Sequence, residues 1–194
     1  MRFSMQEVRD LLIAWLVVSL AFGIALSDKA DLVTMIWVSA LTVGVGFIFH
    51  ELGHKFTAQH YGKFAEFKAS YPMLFVAVVL SFTGVVIAAP GAVMISGFIN
   101  RKEGGMIASA GPLTNIAIAI IILPLYFIFG SVNHTLSLLL GFGFMINAWL
   151  ALFNMIPFGI FDGAKIISWN KFIYAAMVLL SVILMFFTAL VQGA

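Results

Sequence analysis

Leu32-Val-Thr-Met-Ile-Trp-Val-Ser-Ala-Leu-Thr-Val-Gly-Val-Gly-Phe-Ile-Phe49 runs without a charge and is followed at once by His50-Glu51-Leu52-Gly53-His54. The first part is long enough to enter a bilayer. The second adds three ionisable side chains to an apolar helix, where such groups are functional candidates by default. Residues four apart on a helix share one face, with Cβ atoms ~5–6 Å apart, so both imidazoles can reach a single metal ion. Glu51 stands one step round the helix from His50, placed to take a proton from a metal-bound water. The competing reading is a histidine pair that satisfies hydrogen bonds between helices.

Composition extends this to the whole chain. Of 194 residues, 63% are hydrophobic and 9% charged, whereas a soluble domain carries about 25% charged residues. With a mean hydropathy of +1.13, the chain reads as an all-α polytopic membrane protein. Its length suits one membrane-embedded unit over 1–194, with a catalytic core over about 32–169 and no appended domain. Cysteine is absent, so any metal must be held by His, Asp or Glu. Nothing in the charge pattern points to nucleic acid.

Apolar runs over 11–26, 106–129, 135–153 and 172–191 predict four more spans beside the helix that ends near Lys55. Residues 73–89 form a further apolar run at the short limit for crossing, giving five to six membrane helices. Strand-like pieces flank it at 64–68 and 92–96, predicting a short membrane-associated β-hairpin. Basic residues decide between the two counts. If 73–89 dips in and returns, every Lys and Arg except Lys29 falls on one side, which marks the cytoplasmic face. If it crosses, the asymmetry collapses. The expectation is therefore five full spans, a re-entrant segment, and the amino terminus and metal motif near the cytoplasmic face of the cell membrane.

A catalytic zinc takes three protein ligands plus water, and the motif supplies two. His60 lies six residues beyond His54, the spacing of a three-histidine site, but Thr57 stands where that pattern has a turn-forming glycine. Asp162, at the end of a span and within Asn154-Met-Ile-Pro157-Phe-Gly-Ile-Phe-Asp162-Gly163, is an isolated carboxylate that a cation would satisfy. Asp162 is the favoured third ligand.

These residues carry a resemblance. His50-Glu51-Leu52-Gly53-His54 in a membrane helix, Ala110-Gly111-Pro112-Leu113-Thr114-Asn115 opening another, and Asn154-x-x-Pro157 before Phe161-Asp162-Gly163 together resemble the site-2 protease family of intramembrane zinc metalloproteases. The match covers about residues 50–165, in a minimal core form, and departs from it at Ala164, where many relatives have a second glycine. The resemblance implies zinc held by His50, His54 and Asp162, Glu51 as general base, and Asn154 in substrate accommodation.

The implied reaction is attack of a Glu51-activated, zinc-bound water on a peptide bond within or near a transmembrane segment. A helix hides its peptide bonds, so a substrate must unwind, and an edge around Met94 and Ile95 can bind it by strand addition. Asn115 is a further candidate for substrate contact, while Asn147 and the pair Gly44 and Gly46 suit helix packing. The expected partners are a single-span membrane protein and the lipid bilayer. The alternative reading is a non-proteolytic membrane metal-binding protein or metal transporter.

Overall fold

The computed structural model describes residues 3–86 and 90–192. Eight α-helices and one two-stranded sheet follow in the order α1 (Met5–Ala25), α2 (Leu32–Ser39), α3 (Val45–His60), β1 (Phe64–Ala69), α4 (Tyr71–Ser81), β2 (Gly91–Ser96), α5 (Arg101–Phe129), α6 (His134–Phe153), α7 (Asp162–Trp169) and α8 (Lys171–Gln192). A π turn over Ala40–Gly44 joins α2 and α3 into one rod. Among the described residues, five helices are long and apolar enough to cross a membrane: α1, the α2–α3 rod, α5, α6 and α8. The protein is an all-α polytopic membrane protein with a small sheet.

Side-chain caps set several helix starts. Ser4 accepts the Glu7 backbone N–H at 3.0 Å, and Asp31 accepts that of Thr34 at 3.0 Å. At α5, Asn100 and Glu103 cap each other reciprocally. That box starts α5 five residues before the apolar run at Met106, so Gly111 and Pro112 lie well inside the helix and do not open it.

The rod also departs from expectation at its far end. Lys55 does not mark a polar boundary, because it is fully buried and paired with Glu7 of α1. The helix continues to His60, roughly 9 Å further at 1.5 Å per residue counted from His54.

The apolar run 73–89 behaves as a re-entrant piece. α4 has 11 residues, about 16 Å of helix against a hydrocarbon core of about 30 Å. It stops at Ser81, and Gly84, with φ of +78°, turns the chain in a conformation that glycine adopts freely. Residues 87–89 of the predicted run lie outside the described residues. The strands on either side pair antiparallel, Phe64 with Ser96 through Ala69 with Gly91, and the Ser70 N–H donates to the Pro90 carbonyl at 2.9 Å. The segment therefore leaves and returns at one level.

α5 runs through the middle of the bundle, packed on α3, α6 and α7. One apolar core joins α1 to the rod through Leu11, Val18, Val43 and Phe47, and reaches the sheet at Phe67. A second joins α5, α6 and α8 through Ile116, Phe144 and Leu184. The segment after α6, expected as an irregular Pro/Gly-rich stretch, closes into α7, whose Ile166 is buried against Ala108 of α5.

Candidate metal centre

α3 presents His50 and His54 one turn apart, and the first residue of α7, Asp162, meets them from across the bundle. His50 Nε2 lies 3.4 Å and His54 Nε2 3.1 Å from one Asp162 carboxylate oxygen, and the two Nε2 atoms are 3.0 Å apart. All three side chains are buried. Among the described residues, these three form the group of donors able to hold a metal ion.

The donor set tests itself. His50 Nδ1 donates to Asn115 Oδ1 at 2.6 Å, and His54 Nδ1 donates to the Ile107 carbonyl at 2.8 Å. Both partners are acceptors, so both Nδ1 atoms carry the proton and both Nε2 atoms present lone pairs. Two lone pairs and a carboxylate oxygen thus point at one another within about one bond length of a common centre. Without a cation that arrangement is repulsive. Zn–N and Zn–O bonds of about 2.0–2.1 Å in a tetrahedron place ligand atoms ~3.3 Å apart, matching the observed separations. Zinc fits here.

Local sequence explains how three elements come this close. A Cβ at Gly111 would collide with both imidazoles, so only glycine lets α5 pass against the histidine pair. A Cβ at Gly53 would meet the Ala110 carbonyl oxygen and Thr114 Oγ1, each at 2.9 Å, so α3 and α5 are in close contact there. Asp162 is aimed by the turn that precedes it. Gly159 takes a φ of +67°, and the Gly163 N–H donates to the Asn154 carbonyl at 2.7 Å. At Gly163 a Cβ would strike the Met155 carbonyl, so Gly163 is required, whereas Ala164 is accommodated as it stands.

His60 lies apart from the group: it is exposed at the last residue of α3, its ring edge-on to Tyr61. The spacing that made it a candidate belongs to a chain that turns after the second histidine, and here the helix continues.

Glu51 and the three ligands open into a cavity of about 640 Å³ with mostly apolar walls, whose polar lining also includes Asn154 and Lys165. The Val93 backbone N–H faces the Glu51 carboxylate. Asn154, at the end of α6, lines this cavity and donates its amide to the Leu150 carbonyl at 2.9 Å.

Two of the residues expected at the substrate sit elsewhere. Asn115 is fully buried. Its oxygen accepts from His50, and its amide N–H groups go to the Gly46 carbonyl and to Asn147 Oδ1 at 3.2 and 2.8 Å. It holds a ligand and has no group left to offer a substrate. Met94 alternates to the face of β2 away from the cavity and is 54% exposed, whereas its neighbours Val93 and Ile95 line the cavity. Gly46, expected as a packing position, does adjoin Asn147.

Sequence reasoning missed the Ile107 carbonyl and the contribution of α1. A main-chain acceptor leaves no residue-type signature. The role of Asn115 had a signal, since it lies four residues after Gly111 and therefore on the same helix face.

Comparison with known proteins places this geometry in context. The chain is 43% identical over 178 residues, 90% of either chain, to a protein of Methanocaldococcus jannaschii named "Putative zinc metalloprotease MJ0611". No family model matches the chain, and no solved structure matches it.

Proposed function

This chain belongs to the same zinc metalloprotease family as the M. jannaschii protein, and from that premise we propose that it is a site-2 protease-like intramembrane endopeptidase. In this reading it hydrolyses a peptide bond within or near a transmembrane segment of a single-span protein. The observation that carries the reading is the placement of Glu51 and the buried His50, His54 and Asp162 on one cavity inside a bundle of membrane helices.

Zinc held by the two Nε2 atoms and the Asp162 carboxylate would supply a Lewis acid for the attacking water and the scissile carbonyl. Glu51 takes the proton of the attacking water and returns it to the departing amine. Asn115 and the Ile107 carbonyl keep both imidazoles in the tautomer that ligates through Nε2. The apolar walls exclude bulk water around the reacting groups.

The sheet supplies the docking edge. Since Ser70 bonds to Pro90, the alternation of an antiparallel ladder makes Lys68 with Ala92 and Glu66 with Met94 the hydrogen-bonded pairs. The N–H and C=O groups of Val93 and Ile95 then point away from β1, toward the cavity side. An unwound substrate segment added there as a third strand satisfies its backbone without water. The distribution of basic residues places the amino terminus and this mouth on the cytoplasmic side of the cell membrane.

The test is cleavage of a single-span substrate by the purified, zinc-loaded protein in lipid vesicles. Glu51→Gln should keep zinc and abolish cleavage, whereas cleavage that survives the substitution would reject the mechanism. Zinc flux across the vesicle wall without proteolysis would favour a transporter instead.

A further inference from the structure

Two carboxylates near the start of α1 are almost completely buried and lie outside the metal centre. Glu7 is 1% and Asp10 3% exposed. Burying such groups on a membrane helix is costly unless each finds partners, and both find them on the same strand. Glu7 accepts the Phe67 backbone N–H at 3.0 Å. Asp10 accepts the Ala69 N–H at 3.1 Å through one oxygen and the Tyr71 hydroxyl at 2.8 Å through the other. By the ladder alternation described above, Phe67 and Ala69 are the β1 residues whose N–H groups point away from β2.

The second oxygen of Glu7 pairs with Lys55. Lys55 is fully buried, is the residue next to His54, and has its ammonium 3.7 Å from the centre of the Phe3 ring. One carboxylate thus touches both the sheet and the helix that carries two metal ligands.

We infer that the first turns of α1 position the docking sheet: Glu7 and Asp10 close the outer edge of β1, and the Glu7–Lys55 pair holds that strand at a set distance from the metal helix. The inference rests on the proteolytic reading of the site for its purpose. Its physical content is independent of that reading. A two-stranded sheet has two edges, each able to accept an added strand. Here α1 occupies one edge with carboxylates, so an extended chain can join only at β2, beside Glu51. β1 follows α3 directly and is fixed at its start by that connection. Its far end, near Ala69, is the end that Asp10 holds. Glu7, Asp10 and Lys55 are positioning residues in this scheme and touch no substrate.

The chain has no cysteine, which permits a direct measurement. Spin labels placed at Phe49→Cys on α3 and Lys68→Cys near the far end of β1, both exposed positions, report the spacing of strand and metal helix in vesicles. A single narrow distance distribution is expected for the otherwise unaltered chain. Asp10→Ala, and separately the neutral pair Glu7→Gln with Lys55→Met, should broaden or shift it while the zinc content stays at one per chain. With a cleavable substrate, the same variants should raise KM more than they lower kcat and should cut at neighbouring bonds as well. An unchanged distribution in both variants would overturn the inference, as would an unchanged KM and a single cleavage position. If Asp10→Ala loses zinc, Asp10→Asn, which keeps one acceptor oxygen, decides by the same distance measurement. A parent protein that cleaves nothing would overturn the proteolytic reading instead, and the distances would still decide whether α1 fixes the sheet.

Discussion

His50 Nδ1 donates to Asn115 Oδ1 at 2.6 Å across the contact between α3 and α5. The bond selects the tautomer that turns the other ring nitrogen toward Asp162, and Asn147 in turn orients the Asn115 amide. Asn115→Ala should therefore weaken zinc binding by about 10–100-fold, the usual cost of removing a ligand's supporting partner. Asn115→Asp, which retains an acceptor for the imidazole, should bind more tightly than Asn115→Ala. Competition against a chromophoric chelator measures both, and equal affinities for all three proteins would show that the bond does not orient His50.

Gly111→Ala probes the close passage of α5 against the histidine pair. The added methyl must displace both imidazoles, so zinc content should fall and the apo protein should lose roughly 1–3 kcal/mol through overpacking. Thermal unfolding with and without zinc reads both effects. Retention of full zinc content would mean that the backbone yields at this point.

Which residue completes the site can be decided by zinc content alone. Asp162→Ala should lose the metal and His60→Ala should keep it, because His60 lies at the exposed end of α3. The opposite pattern would require a three-histidine centre and a different path for the chain after His54.

Proline substitution separates the two sides of β2. At Ile95 the lost N–H belongs to the open edge, so Ile95→Pro should leave zinc and the sheet intact. It should lower kcat/KM by roughly fivefold, the worth of one hydrogen bond of about 1 kcal/mol. At Met94 the lost N–H belongs to the ladder with Glu66, so Met94→Pro should destabilise the hairpin itself. Limited proteolysis between β1 and β2 distinguishes these outcomes. Equal cleavage by the Ile95 variant and the parent would exclude strand addition at this edge.

Much of the architecture was legible because apolar periodicity and charge placement are strong signals in a membrane chain. The five long helices, the short apolar dip and the two flanking strands all left such traces. The His50, His54 and Asp162 group was legible for a related reason, since ionisable groups are rare in apolar surroundings and draw attention. What misled the reading was charge that had been neutralised. Lys55 looks like a membrane boundary until Glu7, far away in sequence, is seen beside it. Glu7 and Asp10 look like an ordinary polar leader until Phe67 and Ala69 supply their donors. Asn115 looks like a residue for substrate because an amide in a membrane helix suggests function, and its partners on two other helices cannot be read from spacing. Pairings of this kind exist only after the helices have assembled.

The π turn between α2 and α3 carries a consequence for how the second span divides its duties. Such a turn holds one residue more than regular helix would, and Trp15 Nε1 of α1 donates to the carbonyl of its first residue, Ala40, at 2.9 Å. One extra residue rotates all that follows by roughly 100° about the axis. The face that α2 shows to its neighbours and the face on which α3 carries His50 and His54 are thus out of phase by about that angle. Deleting the exposed Leu41 would let the rod run as plain α-helix and bring the two faces into phase, swinging both histidines off Gly111. In this span, a single-residue insertion uncouples the orientation that suits the surroundings from the orientation that suits the metal.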